Sequence, residues 1–298
     1  PGDWALSLRT TWAEPAYLVP DASWCVPGGA PASACANGGA FGGKRHSPVE
    51  ADASTLANER GEAVRVLWSR EDVVRLGPKR PPVAGGVRPD GSGVLRVGAP
   101  TAGGFPPDEW GALVDRVART APGVVLEQVA LPGPPLSLDP RAAVWAEAAA
   151  LSVAARHDAI CGERQTDVPV EVTGPTGGRA VATCRSDGSI EIVVDAGPAG
   201  DDVVLRSFCI GAAHQALGLV RSEGISVDDQ GEVRDLTIRS FGILQARVMP
   251  RVEVTIDSAG ARAVNGSDAV FAAVAAARWL ADGAPPTWPT DRSGGGRR

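Results

Sequence analysis

Methionine and tyrosine occur once each in this chain of 298 residues, histidine three times and cysteine five times. The cysteines, at 25, 35, 161, 184 and 209, are scattered. None forms a Cys-x-x-Cys pair, and none stands beside a histidine at zinc-ligand spacing. This argues against a zinc ribbon or an iron–sulfur cluster carried on the chain, and it reads as a reduced, cytoplasmic protein. Lysine is scarce, so arginine supplies most of the positive charge. With a net charge of -6 and no dense basic run, the chain lacks the electrostatic footprint of a nucleic-acid binder. No apolar run approaches the roughly 20 residues of a membrane span, and no stretch reads as a charged-then-apolar leader. GxSxG and P-loop patterns are absent. His46, His157 and His214 are far apart, with no acidic cluster of metal spacing nearby, so no metal ligand set is read. His214 and Cys209, both in an apolar helical stretch, read as packing residues. The acidic run Ser226–Glu232 is too short for a calcium loop and reads as a solvated turn.

What is present is a normal globular composition, 44% hydrophobic, in a length that suits one large domain or two ordinary ones. No internal repeat is found. Residues 4–12 alternate as a strand, and 16–26 form a second extended piece. Ser47 as cap and Pro48 at the first turn start a helix that Gly61 ends. A strand follows over residues 63–69. Pro89-Asp90-Gly91 turns between two strand-like runs. Helical spacing recurs over residues 108–121, and again from Asp139 as cap with Pro140 at the first position. Strands are predicted at 124–131, 167–174, 179–197, 232–238 and 251–257, with Ser186-Asp187-Gly188 as a hairpin turn. Helices are predicted at 201–218 and from Ser267 to just before Gly283. The fold class is α+β, with mixed sheets flanked by helices. The expected organisation is an N-terminal α/β module over 1–98, a helix-rich connecting segment over 99–165 and a C-terminal α+β module over 166–298.

The most informative stretch is "GGAFGGK", residues 38–44, set between an extended piece and a helix. Glycines let the main chain take positive φ and let a ligand approach the backbone. A glycine-rich loop opening into a helix suits an anion or phosphate, with Phe41 as an apolar wall. A tightly packed turn explains the same residues without a ligand.

The loop, its helix and the following "GEAVRVLWSRED" and "RPDGSG" segments resemble the molybdopterin-binding large subunit of the xanthine dehydrogenase / aldehyde oxidase family. The stretches at 14–26, 195–257 and 263–283 resemble it more loosely. The resemblance implies a molybdopterin-type molybdenum cofactor against Gly39, Ala40, Phe41, Gly42 and Gly43. It implies oxidative hydroxylation of an aldehyde or N-heterocycle, with iron–sulfur and flavin groups on partner chains and not on this one. A large-subunit partner is a further implied neighbour.

The departures are equally specific. The family's catalytic Glu stands in a Gly-Glu pair at the start of the last helix, and this chain has Gly266-Ser267. A serine hydroxyl is no base near neutral pH unless activated. Asp268 is adjacent, but neighbours on a helix are expected to point apart. Ala13 replaces a Gln found before the "E…YL" strand in many members, and Arg45 replaces a Glu of xanthine-oxidising members. The long middle region is missing, with the stretch around Arg141 as a candidate remnant. No catalytic residue and no metal ligand is therefore assigned. Two expectations stand: a component of a molybdenum-hydroxylase-type oxidoreductase, or a catalytically inactive homologue acting as a structural or partner-binding protein.

Overall fold

A computed structural model describes residues 3–15, 19–33, 41–45 and 47–292. Its first sheet has five strands. β1 (Leu6–Thr10), β5 (Val83–Val87) and β6 (Gly93–Ala99) are antiparallel neighbours, while β7 (Val124–Ala130) runs parallel beside β6 and β12 (Thr287–Trp288) parallel beside β1. The second has four strands in the order β11-β10-β9-β8: β8 (Pro169–Thr173), β9 (Arg179–Cys184), β10 (Ile190–Asp195) and β11 (Val252–Asp257). A small antiparallel third sheet sets β2 (Ala22–Cys25) between β3 (Ala32–Ser33) and β4 (Val64–Leu67). This is the mixed α+β architecture expected from the sequence.

Six helices complete the described structure: α1 (Val49–Arg60), α2 (Arg70–Leu76), α3 (Pro107–Thr120), α4 (Trp145–Arg156), α5 (Asp202–Arg221) and α6 (Ser267–Ala281). α4 packs on β1 and β5, α6 packs on β8, β9 and β10, and the two helices pack on each other. Both are rich in alanine and buried on nearly every side. Small side chains all round let a helix lie between two sheets, where an amphipathic helix would present a polar face to apolar neighbours. The alanines thus fix the spacing of the two large sheets. α1 covers the small sheet through Val49, Ala53 and Ala57. α5 passes the length and hydropathy test for a membrane span, but 44% of its apolar window is buried within the fold.

Several sequence expectations change. α4 begins at Trp145, not after Asp139. Ala142 and Val144 take left-handed backbone angles, which interrupts the helix there. Pro48, not Ser47, stands at the N-cap of α1, and the Ser47 hydroxyl donates instead to the Asp21 carboxylate. Residues 232–238 form no strand; only an isolated bridge joins Val227 to Val233. α2 is not foreseen from hydrophobic spacing, being seven residues long. It has a local signal nevertheless, since the Ser69 hydroxyl accepts from the Asp72 N–H and the Asp72 carboxylate accepts from the Ser69 N–H.

Candidate functional site

The glycine loop is the starting point. Gly39 and Ala40 lie outside the described residues; Phe41, Gly42 and Gly43 lie within a turn. Phe41 has φ +44° and Gly42 φ +97°. A Cβ on Gly42 would overlap the carbonyl oxygen of Asp139. Phe41 carbonyl accepts from the Arg141 N–H at 2.9 Å, and the Arg45 guanidinium lies 3.6 Å from the Asp139 carboxylate. The loop is therefore docked, backbone to backbone, on the segment 139–141. Gly42 is glycine because another strand of main chain passes where its side chain would be.

Arg141 dominates the inner side of this loop. Its guanidinium lies 4.4 Å from the centroid of the Phe41 ring, a cation–π contact in a largely buried place. Nε lies 3.2 Å from the Asp268 carboxylate, Nη1 donates to Gln215 at 3.0 Å, and Nη2 reaches the Ser267 hydroxyl at 3.5 Å. Asn265 closes the cluster. It accepts from the Ser267 hydroxyl at 3.1 Å and donates to Asp268 at 2.8 Å. The expected divergence of Ser267 and Asp268 is thus not seen. The two residues open α6, and one planar guanidinium fork spans both. Burial pushes the Asp268 carboxyl above its ordinary range, with Arg141 pulling against the shift; burial likewise lowers Arg141.

A second buried arginine supports the first. Arg80 binds Glu147 of α4 with two contacts, at 2.8 and 2.9 Å, and donates to the carbonyls of Arg141 at 2.6 Å and Ala142 at 3.2 Å. These bonds hold the left-handed turn that ends at α4. Beside it, the Lys79 ammonium lies 2.9 Å from the Glu14 carboxylate, both groups being almost fully buried. Burial raises Glu14 and lowers Lys79, and each is opposed by the other's charge. Arg80, Glu147, Gln215 and Asn265 were not read from the sequence as site residues. One signal was available: a single Glu in the alanine-rich run 142–155 requires a buried partner. His214 bonds the Leu244 carbonyl at 2.7 Å, and burial pushes the Cys209 thiol up to about 11; both side chains serve packing.

Between Glu14, Phe41, Arg80, Arg141, Gln215 and Phe271 remains a cavity of about 50 Å³. That is room for water, against the roughly 300 Å³ or more of a typical organic-ligand site. The molybdopterin-type cofactor implied by the resemblance would need the face of Phe41 and a close approach at Gly42. Arg141 covers the first and the Asp139 backbone fills the second. The inner side of the loop therefore has no room for that group; the residues there form a closed, mutually satisfied cluster whose hydroxyl and carboxylate are both engaged.

The architecture is similar to that of solved oxidoreductase chains. Two solved structures that it resembles are quinoline 2-oxidoreductase from Pseudomonas putida 86 and CO dehydrogenase from Oligotropha carboxidovorans. The first aligns over 96% of this chain and 75% of that chain, with a TM-score of 0.55 and 11% identity. The second aligns over 92% and 71%, with a TM-score of 0.53 and 10% identity. No family model matches the sequence, and no curated protein matches it. At such identity the likeness is one of fold.

Proposed function

We propose that this chain is a component of a molybdenum-hydroxylase-type oxidoreductase, in which it acts as a structural and partner-binding protein without catalytic groups of its own. Support for the family setting comes from the fold and from the Phe41–Gly42 loop, which is docked on residues 139–141. The observation that carries the non-catalytic role is Arg141, which lies over Phe41 and ties it to Ser267 and Asp268. This one buried guanidinium engages the Gln215 amide, the Ser267 hydroxyl and the Asp268 carboxylate at once. Other chains of such an enzyme would hold the iron–sulfur and flavin groups and the molybdenum cofactor.

The test is metal and pterin content after purification from a host that makes molybdopterin. Mass spectrometry and oxidative pterin fluorescence should find neither in more than trace amount in a folded sample. Near-stoichiometric molybdenum and pterin would overturn the reading.

One observation favours a catalytic alternative, in which the chain helps an aldehyde or N-heterocycle to be hydroxylated and a partner supplies the missing Glu. The Asp268 carboxylate, raised by burial, stands at the start of the last helix, next to the position where the family has its base. Dye-coupled oxidation of aldehydes and purines by the chain together with its partner chains, abolished by Asp268→Asn, would establish this alternative.

A further inference from the structure

The Phe41 loop has two sides, and only the inner one is plugged. On its outer side lies a cavity of about 560 Å³, within the usual range for small-molecule sites. We infer that this cavity binds a small planar aromatic compound carrying one phosphate or carboxylate. The inference does not rest on the oxidoreductase reading, because it uses the other face of the loop and is carried by Trp24 and Arg65.

The aromatic half of the claim rests on Trp24. It is 46% exposed, and its ring has no aromatic or cationic partner among the described residues. Leu67 and Val19, 59% and 48% exposed, line the same hollow with Phe41. Isolated exposed apolar residues are ordinary. Several of them converging in a concavity with cations mark a ligand surface.

The anionic half rests on a charge count. The lining holds Lys44, Arg45 and Arg65 against Asp21 and Glu50. Asp21 is taken up, accepting from the Ser47 hydroxyl and lying 3.9 Å from the Lys44 ammonium. Lys44 also donates to the Pro20 carbonyl at 3.3 Å, and Arg45 faces Asp139. Arg65 forms no ion pair among the described residues. It stands directly opposite Trp24 across β2 and β4, and both side chains are exposed on the open face of the small sheet. Opposed residues on one face have Cβ atoms about 5 Å apart. A ring stacked on Trp24 thus places its substituent within reach of a guanidinium, the side chain best shaped for phosphate or carboxylate.

Isothermal titration calorimetry on the full chain tests this with adenosine 5′-monophosphate, indole-3-carboxylate, adenosine and inorganic phosphate. At least one of the two aromatic anions should bind about tenfold or more tighter than adenosine or phosphate alone. Which of them binds distinguishes a phosphate from a carboxylate ligand. Arg65→Ala should reduce that anion to the level of the uncharged probe, and Trp24→Ala should weaken it about tenfold. Both positions are exposed, and unchanged melting curves will show that the variants fold. Failure of both aromatic anions to bind, or binding indifferent to either substitution, overturns the assignment.

Discussion

At the scale of single residues, glycine and arginine decide the site. Gly42 and Gly28 both have positive φ, but they meet different surroundings. A Cβ at Gly28 would meet nothing within 4 Å, whereas at Gly42 it meets the Asp139 carbonyl. Gly28→Ala should therefore cost about 1 kcal/mol, the left-handed penalty alone. Gly42→Ala should cost about 3 kcal/mol or more, since strain and overlap add. Urea unfolding of the pair measures the difference, and equal costs would mean that the loop is not docked on 139–141. The same contrast explains why the glycine motif is ambiguous when read alone: only the main chain passing at Asp139 tells a packing glycine from a ligand-binding one.

At the scale of elements, the buried pair Glu14–Lys79 joins the chain after β1 to the segment after α2. Burial disfavours both charges, so attraction between them has to offset two desolvation costs. Removing one partner should be far worse than removing both. Glu14→Gln should destabilise by about 3–5 kcal/mol, and Glu14→Leu with Lys79→Met should recover most of it. Denaturant titration of the single and double variants checks this. The cap of α2 gives a pH test. The Ser69 hydroxyl and N–H hold the Asp72 carboxyl below its ordinary value of 3.8. A carboxyl lowered in the folded state adds stability above its unfolded value, and that stability is lost as pH falls through the folded one. Melting temperatures between pH 5 and pH 3 should thus fall less steeply for Asp72→Asn than for the parent. An identical slope would mean that the cap makes no net contribution.

At the scale of the whole molecule, residues far apart in the chain close the first sheet. β12 pairs with β1, and Trp288, fully buried, meets Trp279 of α6 edge to face at 5.9 Å. Trp288→Ala should cost about 3–5 kcal/mol, the usual penalty for emptying an aromatic site in a core. Trp288→Phe should cost much less, because the indole N–H has no acceptor among the described residues and its removal relieves an unsatisfied donor. Thermal unfolding of the two variants measures both. If the alanine variant melts like the parent, the C-terminal strand is not part of the core.

The sequence by itself determined the elements whose signals are local. Alternation wrote β8 to β10, Ser186-Asp187-Gly188 wrote the turn between β9 and β10, Gly61 ended α1 with φ +66°, and apolar spacing wrote α3, α5 and α6. It also showed the Phe41 loop, and Ser267 where the resemblance implies a Glu. It did not show where α4 starts, because Asp139-Pro140 is a good helix opening in isolation. The turn at 140–144 exists only because Arg80 and Phe41 hold it from other parts of the chain. Nor did it show that Ser267 and Asp268 share one partner, or that this partner covers Phe41. Those facts belong to tertiary structure. A guanidinium bonds in several directions at once, and which acceptors surround it is set by three distant segments meeting in space, not by the residues beside it in sequence.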